Sequence, residues 1–510
     1  MFLSQLTELI RSAAHPLCGA DDDYEPLLES IGDARLVLLG EATQGTHEFY
    51  RERARITQRL IREKGFQAVA IEADWPDAWR VNRFVQGQSR DPHPHPNLDA
   101  NLETDLDADL ALIGFHRFPA WTWRNNDVLE FVSWLRAHND TLEPAQRVGF
   151  FGLDRYNLHA SVEWVLQYLD NVDPAAARRA RIRYECYEAF AGDPQTYGYA
   201  ASLGLHASYG DHAVAQLLES QNEAARYAGM KGMTGMEDLF GGSGRPLHPP
   251  SAEEFYRAIF QRADASWKLR DRHMADTLEA LLAYLEGRQR SHRRVPEPVL
   301  EAGARTGPQI CARTGLKPGL KTELRDGSRT DSDADATRKP PASAKVVVWA
   351  HNAHIGDARA TQMGHRGEWN LGQILRERYG RACRSVGFTT YAGTVTAASA
   401  WDRPAERLLV RPARGNSYEG LFHAAGLAAF SLSLNQHPDL ALRLGGSRLE
   451  RAIGAVYQPG SELMSHYFLA SLPDQFDTVL HFDTTSAVEP LEPGGEGSEF
   501  ETAERTHSAP

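Results

Sequence analysis

The stretch LVLLGEATQGTHEFY, residues Leu36–Tyr50, decides the fold. Its apolar run, LVLL, ends at Gly40, and the acid Glu41 follows directly. Such a run without alternation predicts a strand buried on both faces, as in a parallel sheet. Open α/β sheets place ligand-contacting groups at the carboxyl ends of their strands. Glu41 therefore lies where this architecture predicts chemistry.

Five further runs of this kind predict the partners of the first strand. They are AVAIEA (Ala68–Ala73), RVGFFGLD (Arg147–Asp154), KVVVWAH (Lys345–His351), SVGFTT (Ser385–Thr390) and DTVLHFD (Asp477–Asp483). Helical periodicity fills the intervals between them, for example over Glu52–Lys64 and Asp127–His138. The predicted fold class is α/β, a mostly parallel sheet flanked by helices, with a helical accessory (lid) region.

Composition divides the chain into five segments. Residues 1–157 and 345–491 carry the predicted strands and form the two parts of an α/β core. The segment 158–287 shows helical patterns, and we interpret it as a helical insertion or lid. The segment 288–344 contains no aromatic residue and too little apolar surface to offset the entropy of ordering. We expect it to be a disordered insertion and the Gly/Glu/Ser-rich segment 492–510 to be a disordered tail.

Charge and cysteine content limit the function classes. The net charge of −13 argues against a nucleic-acid or anionic-membrane binder, which would carry a basic surface. The four cysteines are widely separated and form no metal-binding pair, as in proteins of a reducing cytosol. The N-terminal pattern is not that of a signal peptide, and no apolar run reaches the length of a membrane span. We expect a cytoplasmic protein that acts on a small molecule, without nucleic-acid or membrane partners.

Polar side chains collect where four of the predicted strands end. They are Glu41, Gln44, His47 and Arg53 after the first strand, Glu72, Asp74 and Trp75 at the second, Asp154 at the third, and His351, Asn352 and His354 after the fourth. Strands that are neighbours in one sheet would bring these ends to a common crevice.

Two chemistries could use this set. His351 or His354, kept neutral, could take a proton from water while a carboxylate orients the ring, and an arginine or second histidine would stabilise the oxyanion. Alternatively, the two histidines could bind a divalent metal together with Glu41 and Glu72. Zinc sites with such ligands usually show a tighter motif such as HExxH, so we predict no metal and no other cofactor.

The aromatic stretch FPAWTWRNND, from Phe118 to Asp127, could line a pocket for a bulky ligand or form a wall of the core. If the stretch lines a pocket, the residues predicted to contact substrate are Gln44, His47, Asp74, Trp75, Trp121, Trp123 and Arg124. A small-molecule ester is the predicted ligand of such a pocket.

Three further charged residues could have a structural role instead of a functional one. Asp154 could cap a helix instead of taking part in catalysis. Arg270 and Asp271, in WKLRDRHM, could form an inward-pointing ion pair, and such pairs are more often structural.

Seven motifs, in this order along the chain, resemble the erythromycin esterase family. They are GEATQGTHEFYRERA (Gly40–Ala54), AIEADW (Ala70–Trp75), FPAWTWRNND, GLDRYNL (Gly152–Leu158), WKLRDRHMADTL (Trp267–Leu278), VWAHNAHIGDARAT (Val348–Thr361) and SHYFLASLPDQFD (Ser465–Asp477). The likeness extends from the first strand to about Glu492, with 288–344 outside it. It implies an α/β core, a helical accessory region and a cleft where a histidine activates water to open a macrolide lactone without a metal, the chemistry of an antibiotic-resistance esterase.

The resemblance assigns roles residue by residue. The acid of the family's GExxH motif falls on Glu41, and the arginine of the following helix falls on Arg53. The second-strand glutamate falls on Glu72, and the two histidines of HNxH fall on His351 and His354. We expect a histidine base oriented by the two glutamates, with the arginine stabilising negative charge.

The fifth position of GExxH departs from the family, because it is Gln44 in this chain. Glutamine cannot accept a proton near neutral pH. His351 or His354 would then be the base of a metal-independent esterase, or His47 could substitute. The alternatives are a non-catalytic binding or sensing protein that lost its base at this position, and a metal-dependent hydrolase.

Overall fold

The computed structural model describes residues 2–20, 22–88, 107–154, 178, 263–293, 343–401 and 403–491. The strands are β1 (His15–Pro16), β2 (Leu36–Leu39), β3 (Ala68–Asp74), β4 (Gly149–Asp154), β5 (Val346–Trp349), β6 (Cys383–Ala397), β7 (Glu406–Val410), β8 (Ala429–Ser433), β9 (Arg448–Arg451), β10 (Tyr467–Ala470) and β11 (Thr478–Thr485). The helices are α1 (Phe2–Ala13), α2 (Glu25–Ile31), α3 (His47–Lys64), α4 (Trp75–Val85), α5 (Ala108–Leu112), α6 (Asn126–Asp140), α7 (Ala263–Arg293), α8 (Asn352–Ile355), α9 (Gln362–His365), α10 (Leu371–Tyr379), α11 (Tyr418–His423), α12 (Pro438–Leu444), α13 (Glu462–Ser465) and α14 (Leu472–Gln475).

One large sheet organises the described residues. Its strand order is β1-β8-β11-β6-β2-β5-β3-β4, and β7 pairs with the far end of β6. The six strands from β11 to β4 are parallel, whereas β8, β1 and β7 are antiparallel to their neighbours. All six predicted strands are present, so the α/β class with a mostly parallel sheet is confirmed. A separate ribbon pairs β9 with β10.

The apolar runs are continuous because both faces of the sheet are covered. In β2, Val37 and Leu39 contribute to one hydrophobic core, whereas Leu36 and Leu38 contribute to the other. β5 divides in the same way between the two cores. Alternate side chains of a strand point to opposite faces, so a strand between two layers of helices needs apolar residues throughout.

The helices that flank the site begin earlier than the sequence pattern predicts. α6 begins at Asn126 because the side chain of Asn125 accepts the N–H of Val128 and caps the helix. α3 ends at Lys64, and the next residue, Gly65, has a φ of 69°, in the left-handed region that glycine adopts without strain. These helices pack against each other, covering one face of the sheet.

α7 contains the last helical pattern of the predicted lid, DRHMADTLEALLAYL. Its apolar side chains, among them Met274, Leu278 and Leu282, are buried against the second core. The helix continues to Arg293, so the predicted boundary at 287 does not coincide with the end of an element. The rest of the predicted lid, most of the predicted disordered insertion and the predicted tail lie outside the described residues. No helix in the described ranges is long and apolar enough to cross a membrane.

Candidate active site

The carboxyl ends of four neighbouring parallel strands meet at one edge of the sheet. β2 leads into Glu41, and β5 leads into His351. β3 carries Glu72 near its end, where its pairing with β4 shifts register, and β4 ends at Asp154. Such irregularities often re-aim side chains near functional sites. Because these strands are adjacent in the order β2-β5-β3-β4, the predicted common crevice is present.

Asn352, the first residue of α8, ties these strand ends together. Its backbone N–H donates to the Glu41 carbonyl at 2.9 Å, and its side-chain Nδ2 donates to the Phe388 carbonyl at 2.8 Å. Gly40 makes this approach possible, because a Cβ there would collide with the Asn352 side chain. The asparagine between the two histidines of the HNxH stretch therefore holds the backbone of the site.

Five ionisable side chains form what we call the charged cluster. They are Glu72, Asp154, Arg270, Asp271 and His354. Arg270 Nη2 lies 2.7 Å from Glu72 Oε1 and 2.6 Å from Asp154 Oδ2. His354 Nδ1 lies 2.8 Å from Asp271 Oδ1, and its Nε2 lies 3.3 Å from Glu72 Oε1. Helix α7 thus supplies both the arginine and the aspartate that fix His354.

The carboxylates around His354 favour its protonated form. Burial alone would lower its pKa, but the carboxylates of Asp271 and Glu72 outweigh burial and raise the pKa to about 10, although Arg270 opposes them. Burial would likewise raise the pKa of Glu72, yet His354 and Arg270 hold that pKa well below its usual range. A doubly protonated imidazole donates hydrogen bonds and cannot accept a proton from water.

His351, three residues earlier, is neutral. Burial lowers its pKa to about 4, against the opposing charge of Glu72. Its Nδ1 accepts the N–H of Ala353 at 3.1 Å, as the N-cap of α8. Because Nδ1 accepts, the ring proton lies on Nε2. Nε2 is buried and has no hydrogen-bond partner among the described residues, and the carbonyls of Ala42 and Ile453 lie near enough to the ring to oppose the fall in its pKa.

Glu41 and Arg53 form a separate buried pair. Arg53 Nη2 donates to Glu41 Oε2 at 3.2 Å, and the guanidinium lies 4.2 Å from the ring centre of Tyr50. Burial raises the pKa of Glu41 to about 7, against the opposing charge of Arg53 and with a smaller contribution from Glu72. Neither residue of the pair lines the cavity described next. Arg53 is therefore placed to hold Glu41 and not to contact a substrate oxyanion, the role that the sequence predicts for it.

A cavity of about 630 Å³ opens beside the strand ends, within the size range of small-molecule sites. One part of its lining is charged and includes Glu72, Asp154, Arg270 and His354. A second part is aromatic and is formed by Phe115, Phe118, Trp123 and Trp401. A third part, which we call the neutral wall, consists of Gln44, His351, Ala452, Gly454, Ala455, Val456 and His466.

The residues predicted to contact substrate divide into two groups. Gln44, Asp74 and Trp123 line the cavity, whereas His47, Trp75, Trp121 and Arg124 are not among its described lining residues. His47 instead lies with its Nδ1 2.8 Å from Asp127 Oδ1, in an ion pair between α3 and α6. It is thus not placed to substitute for a base at Gln44. Trp121 packs edge to face on Phe118, as the core reading of that stretch predicts.

The alternative metal site does not fit the hydrogen bonding of its candidate ligands. Arg270 and the His351 backbone N–H take the two oxygens of Glu72. Asp271 takes Nδ1 of His354, and Arg270 Nη1 at 3.0 Å and Glu72 Oε1 at 3.3 Å lie against its Nε2. A divalent cation would have to compete with the guanidinium of Arg270 beside Glu72. In the described ranges, no three His, Cys, Asp or Glu side chains are grouped to hold a metal ion.

Four residues of the site were missed or given a structural reading in the sequence. Asp154, Arg270 and Asp271 belong to the charged cluster. The only sequence signal for Asp154 was its place at the end of an apolar run. The only signal for Arg270 and Asp271 was the paired charges of WKLRDRHM. His466 lines the cavity, and its only signal was its place in the motif SHYFLASLPDQFD. Spacing along the chain does not show that α7 returns to the strand ends.

Comparison with known proteins identifies one family. The family model described as erythromycin esterase matches residues 61–294 and 322–485. The gap between the two matched segments, 295–321, lies wholly within the stretch 288–344 predicted to be disordered, and the match includes the rest of that stretch. Residues 40–54 precede the match, so the departure at Gln44 stays a prediction. Erythromycin esterase type II of Escherichia coli is 23% identical over 385 residues, which cover 74% of either chain.

Solved structures with the same fold cover nearly the whole chain. A succinoglycan biosynthesis protein is 19% identical with a TM-score of 0.64, covering 96% of this chain and 98% of that chain. A Bacillus cereus protein is 16% identical with a TM-score of 0.67, covering 96% and 99%. A mutant of the erythromycin esterase EreC in its open conformation is 15% identical with a TM-score of 0.55, covering 93% and 96%. At these identities the likeness shows the fold alone.

Proposed function

Because the chain belongs to the erythromycin esterase family, we propose that it hydrolyses a carboxylic ester or macrolactone of small-molecule size without a metal or other cofactor. The observation that carries this proposal is His351, a neutral histidine in the lining of the cavity whose Nε2 has no partner among the described residues. A neutral imidazole is the usual proton acceptor in hydrolytic catalysis near neutral pH.

The proposed reaction balances without a co-reactant other than water. The water oxygen attacks the ester carbonyl carbon while His351 Nε2 takes the water proton. The tetrahedral intermediate then collapses, and the proton passes to the departing alkoxide. The products are a carboxylic acid and an alcohol, or one hydroxy acid from a lactone. Glu72, kept ionised by Arg270 and His354, holds His351 through its backbone N–H at 2.8 Å.

This role requires His351 to exchange its tautomer. In the resting site Nδ1 accepts from Ala353 and Nε2 carries the proton, whereas a base needs a free electron pair on Nε2. The exchange gives up one hydrogen bond to the backbone, which costs about 1 kcal/mol. We therefore propose that the ring reorients when substrate binds.

The same hydrogen bond favours a second candidate, a binding or sensing protein that keeps the cleft without catalysis. Gln44 cannot accept a proton, His354 is cationic, and the accepting nitrogen of His351 is occupied. In the described part of the lining, no imidazole nitrogen is free to accept a proton in the resting site. This candidate is favoured if the protein binds esters saturably but does not turn them over.

The substitution His351→Asn tests the catalytic proposal. Asparagine is a good N-cap and can still accept the Ala353 N–H, but it cannot take a proton. With aryl esters and macrolides as substrates, kcat/KM should fall by roughly 10²–10⁴-fold, with Tm nearly unchanged. In the parent, the plot of kcat/KM against pH should stay level as pH falls and drop only near pH 4, because protonation removes the base at the lowered pKa of His351.

Three controls complete this experiment. His365→Asn changes an exposed histidine and should leave activity unaltered. Turnover that survives both His351→Asn and His354→Asn would contradict the proposal. Metal dependence is tested by metal analysis and EDTA treatment, and activity that EDTA removes and a divalent metal restores would contradict metal independence.

A further inference from the structure

His466 lies between α13 and β10 and belongs to the neutral wall. It is only 9% exposed. Its backbone carbonyl accepts the N–H of Ala452 at 2.9 Å, and the carbonyl of the next residue, Ile453, accepts the N–H of Gln44 at 3.0 Å. The carbonyl of Ile453 also lies close enough to His351 to favour the protonated form of that ring. The segment 452–453 thus joins His466, Gln44 and His351 in one part of the cavity.

A backbone contact fixes the tautomer of His466. The N–H of Gln458 donates to its Nε2 at 3.1 Å. Burial lowers the pKa of His466, the nearby Ala452 carbonyl opposes that shift, and Arg451 adds to it. The ring is therefore neutral near pH 7 and carries its proton on Nδ1. Because Nε2 accepts from Gln458, the Ala452 carbonyl, which opposes the lowered pKa, is the backbone group nearest to Nδ1–H, and among the described residues Nδ1 forms no hydrogen bond with another side chain.

Ester hydrolysis needs a donor for the oxyanion, and the cationic groups of the described site lie against carboxylates. Arg117 lies near Asp77, where it opposes the rise that burial causes in the pKa of that carboxyl. Arg270 and His354 bind the carboxylates of the charged cluster. Arg53 pairs with Glu41 and does not line the cavity. A preorganised N–H donor near developing negative charge is commonly the largest single contribution to such catalysis.

We propose that His466 is the oxyanion donor of this site, its Nδ1–H donating to the ester carbonyl oxygen as that oxygen becomes negative in the tetrahedral intermediate. The proposal rests on the proposed hydrolase function. His466 donates a hydrogen bond and transfers no proton, because its neutral ring has none to give up near neutral pH. The Gln458 N–H is the contact that keeps the donor on the correct nitrogen. By the same chemistry, the cavity should bind tetrahedral anions such as phosphonates.

Two substitutions separate this catalytic role from a structural one. His466→Gln places an amide near the position of Nε2, where it can accept the Gln458 N–H, but removes the donor at Nδ1. His466→Asn does the converse, because its amide lies near the position of Nδ1. We expect kcat to fall by roughly 10²–10³-fold in His466→Gln with KM nearly constant, and by less than about tenfold in His466→Asn. His423→Gln, at an exposed histidine, is the matched control.

A structural role predicts the reverse order. His466→Asn would then lose Tm and activity, whereas His466→Gln would retain both. An equal or larger loss in His466→Asn than in His466→Gln therefore overturns the proposal. Arg117 is a cationic residue of the described lining that lies near Asp77. A large loss in Arg117→Gln together with none in His466→Gln would also overturn it.

A binding measurement keeps this inference separate from the proposed function. By titration calorimetry, an anionic aryl phosphonate monoester should bind His466→Gln at least tenfold more weakly than the parent, whereas the matched neutral ester should change less than twofold. If the parent shows no turnover but this difference is present, the hydrolase proposal fails and the donor site stands. Equal phosphonate affinity in parent and variant overturns the donor site.

Discussion

His351 and His354 are three residues apart but belong to regions of opposite character. The neutral wall around His351 offers backbone groups, small side chains and Gln44, and burial there lowers the histidine pKa to about 4. The charged cluster around His354 offers carboxylates, which raise the histidine pKa to about 10. The same residue type is therefore shifted toward its neutral form in one region and toward its charged form in the other. The surroundings, and not the HNxH spacing, decide which histidine can serve as a base.

The difference originates in α7. This helix is distant in sequence from β3 and β4, and it places Arg270 and Asp271 against the ends of β3, β4 and β5. In the described part of the chain, α7 supplies no residue to the neutral wall as we define it. Ala452, Gly454, Ala455 and Val456 supply it instead. Substitutions that remove a charge from the charged cluster, or add a proton acceptor to the neutral wall, test whether each region can change without affecting the other.

Removing the arginine of the charged cluster should have the largest effect. Arg270→Met leaves Glu72 and Asp154 without their cation, and breaking a buried ion pair from one side costs about 3 kcal/mol or more. Denaturant unfolding should show that loss, and esterase activity should fall by roughly 10²-fold or more, since a displaced Glu72 no longer holds His351. Arg272→Met, at an exposed position of the same helix, is the control. A variant as stable as this control would show that the cluster does not need its arginine.

A smaller change follows from weakening one carboxylate. In the parent, the pKa of His354 is raised above its ordinary value of 6.5, so its contribution to stability is complete below pH 6.5 and is lost as pH rises through about 10. Asp271→Asn keeps the hydrogen-bond acceptor but removes the charge, so this loss should be smaller and should finish at a lower pH. The free energy of unfolding, measured between pH 6 and 10, checks this. Asp276→Asn, exposed on α7, is the control and should behave as the parent. If the free energy of unfolding of Asp271→Asn depends on pH as it does in the parent, Asp271 does not raise the pKa of His354.

The smallest effect is expected in the neutral wall. Gln44→His adds an imidazole beside His351, and activity should change by less than about tenfold, because His351 already serves as the base. Gln44→Asn, which also lacks a proton acceptor, is the control. Steady-state turnover of aryl esters and macrolides measures both variants. Turnover that is present only in Gln44→His would favour the binding protein that lost its base.

Strand-end chemistry was accessible from the sequence because it is a local signal. Glu41, Glu72 and His351 each follow an apolar run, and parallel strands that are neighbours share one edge. The partners of these residues were not accessible. Arg270 contacts Glu72 across a sequence separation of 198 residues, and no local pattern encodes that contact. His47 shows the opposite failure, since a histidine close to Glu41 in sequence faces Asp127 instead of the cavity.

The stretch LVLLGEATQGTHEFY shows what the sequence by itself determined. Its continuous apolar run specified a buried parallel strand, and the acid after it specified the edge of the sheet where the site lies. The tertiary structure alone decided the charge of each ionisable group there. A pKa depends on burial, on hydrogen bonds and on charges within a few ångströms. In this protein α7 supplies charges to the site and the 452–456 segment supplies backbone groups. Both are distant in sequence from Leu36–Tyr50.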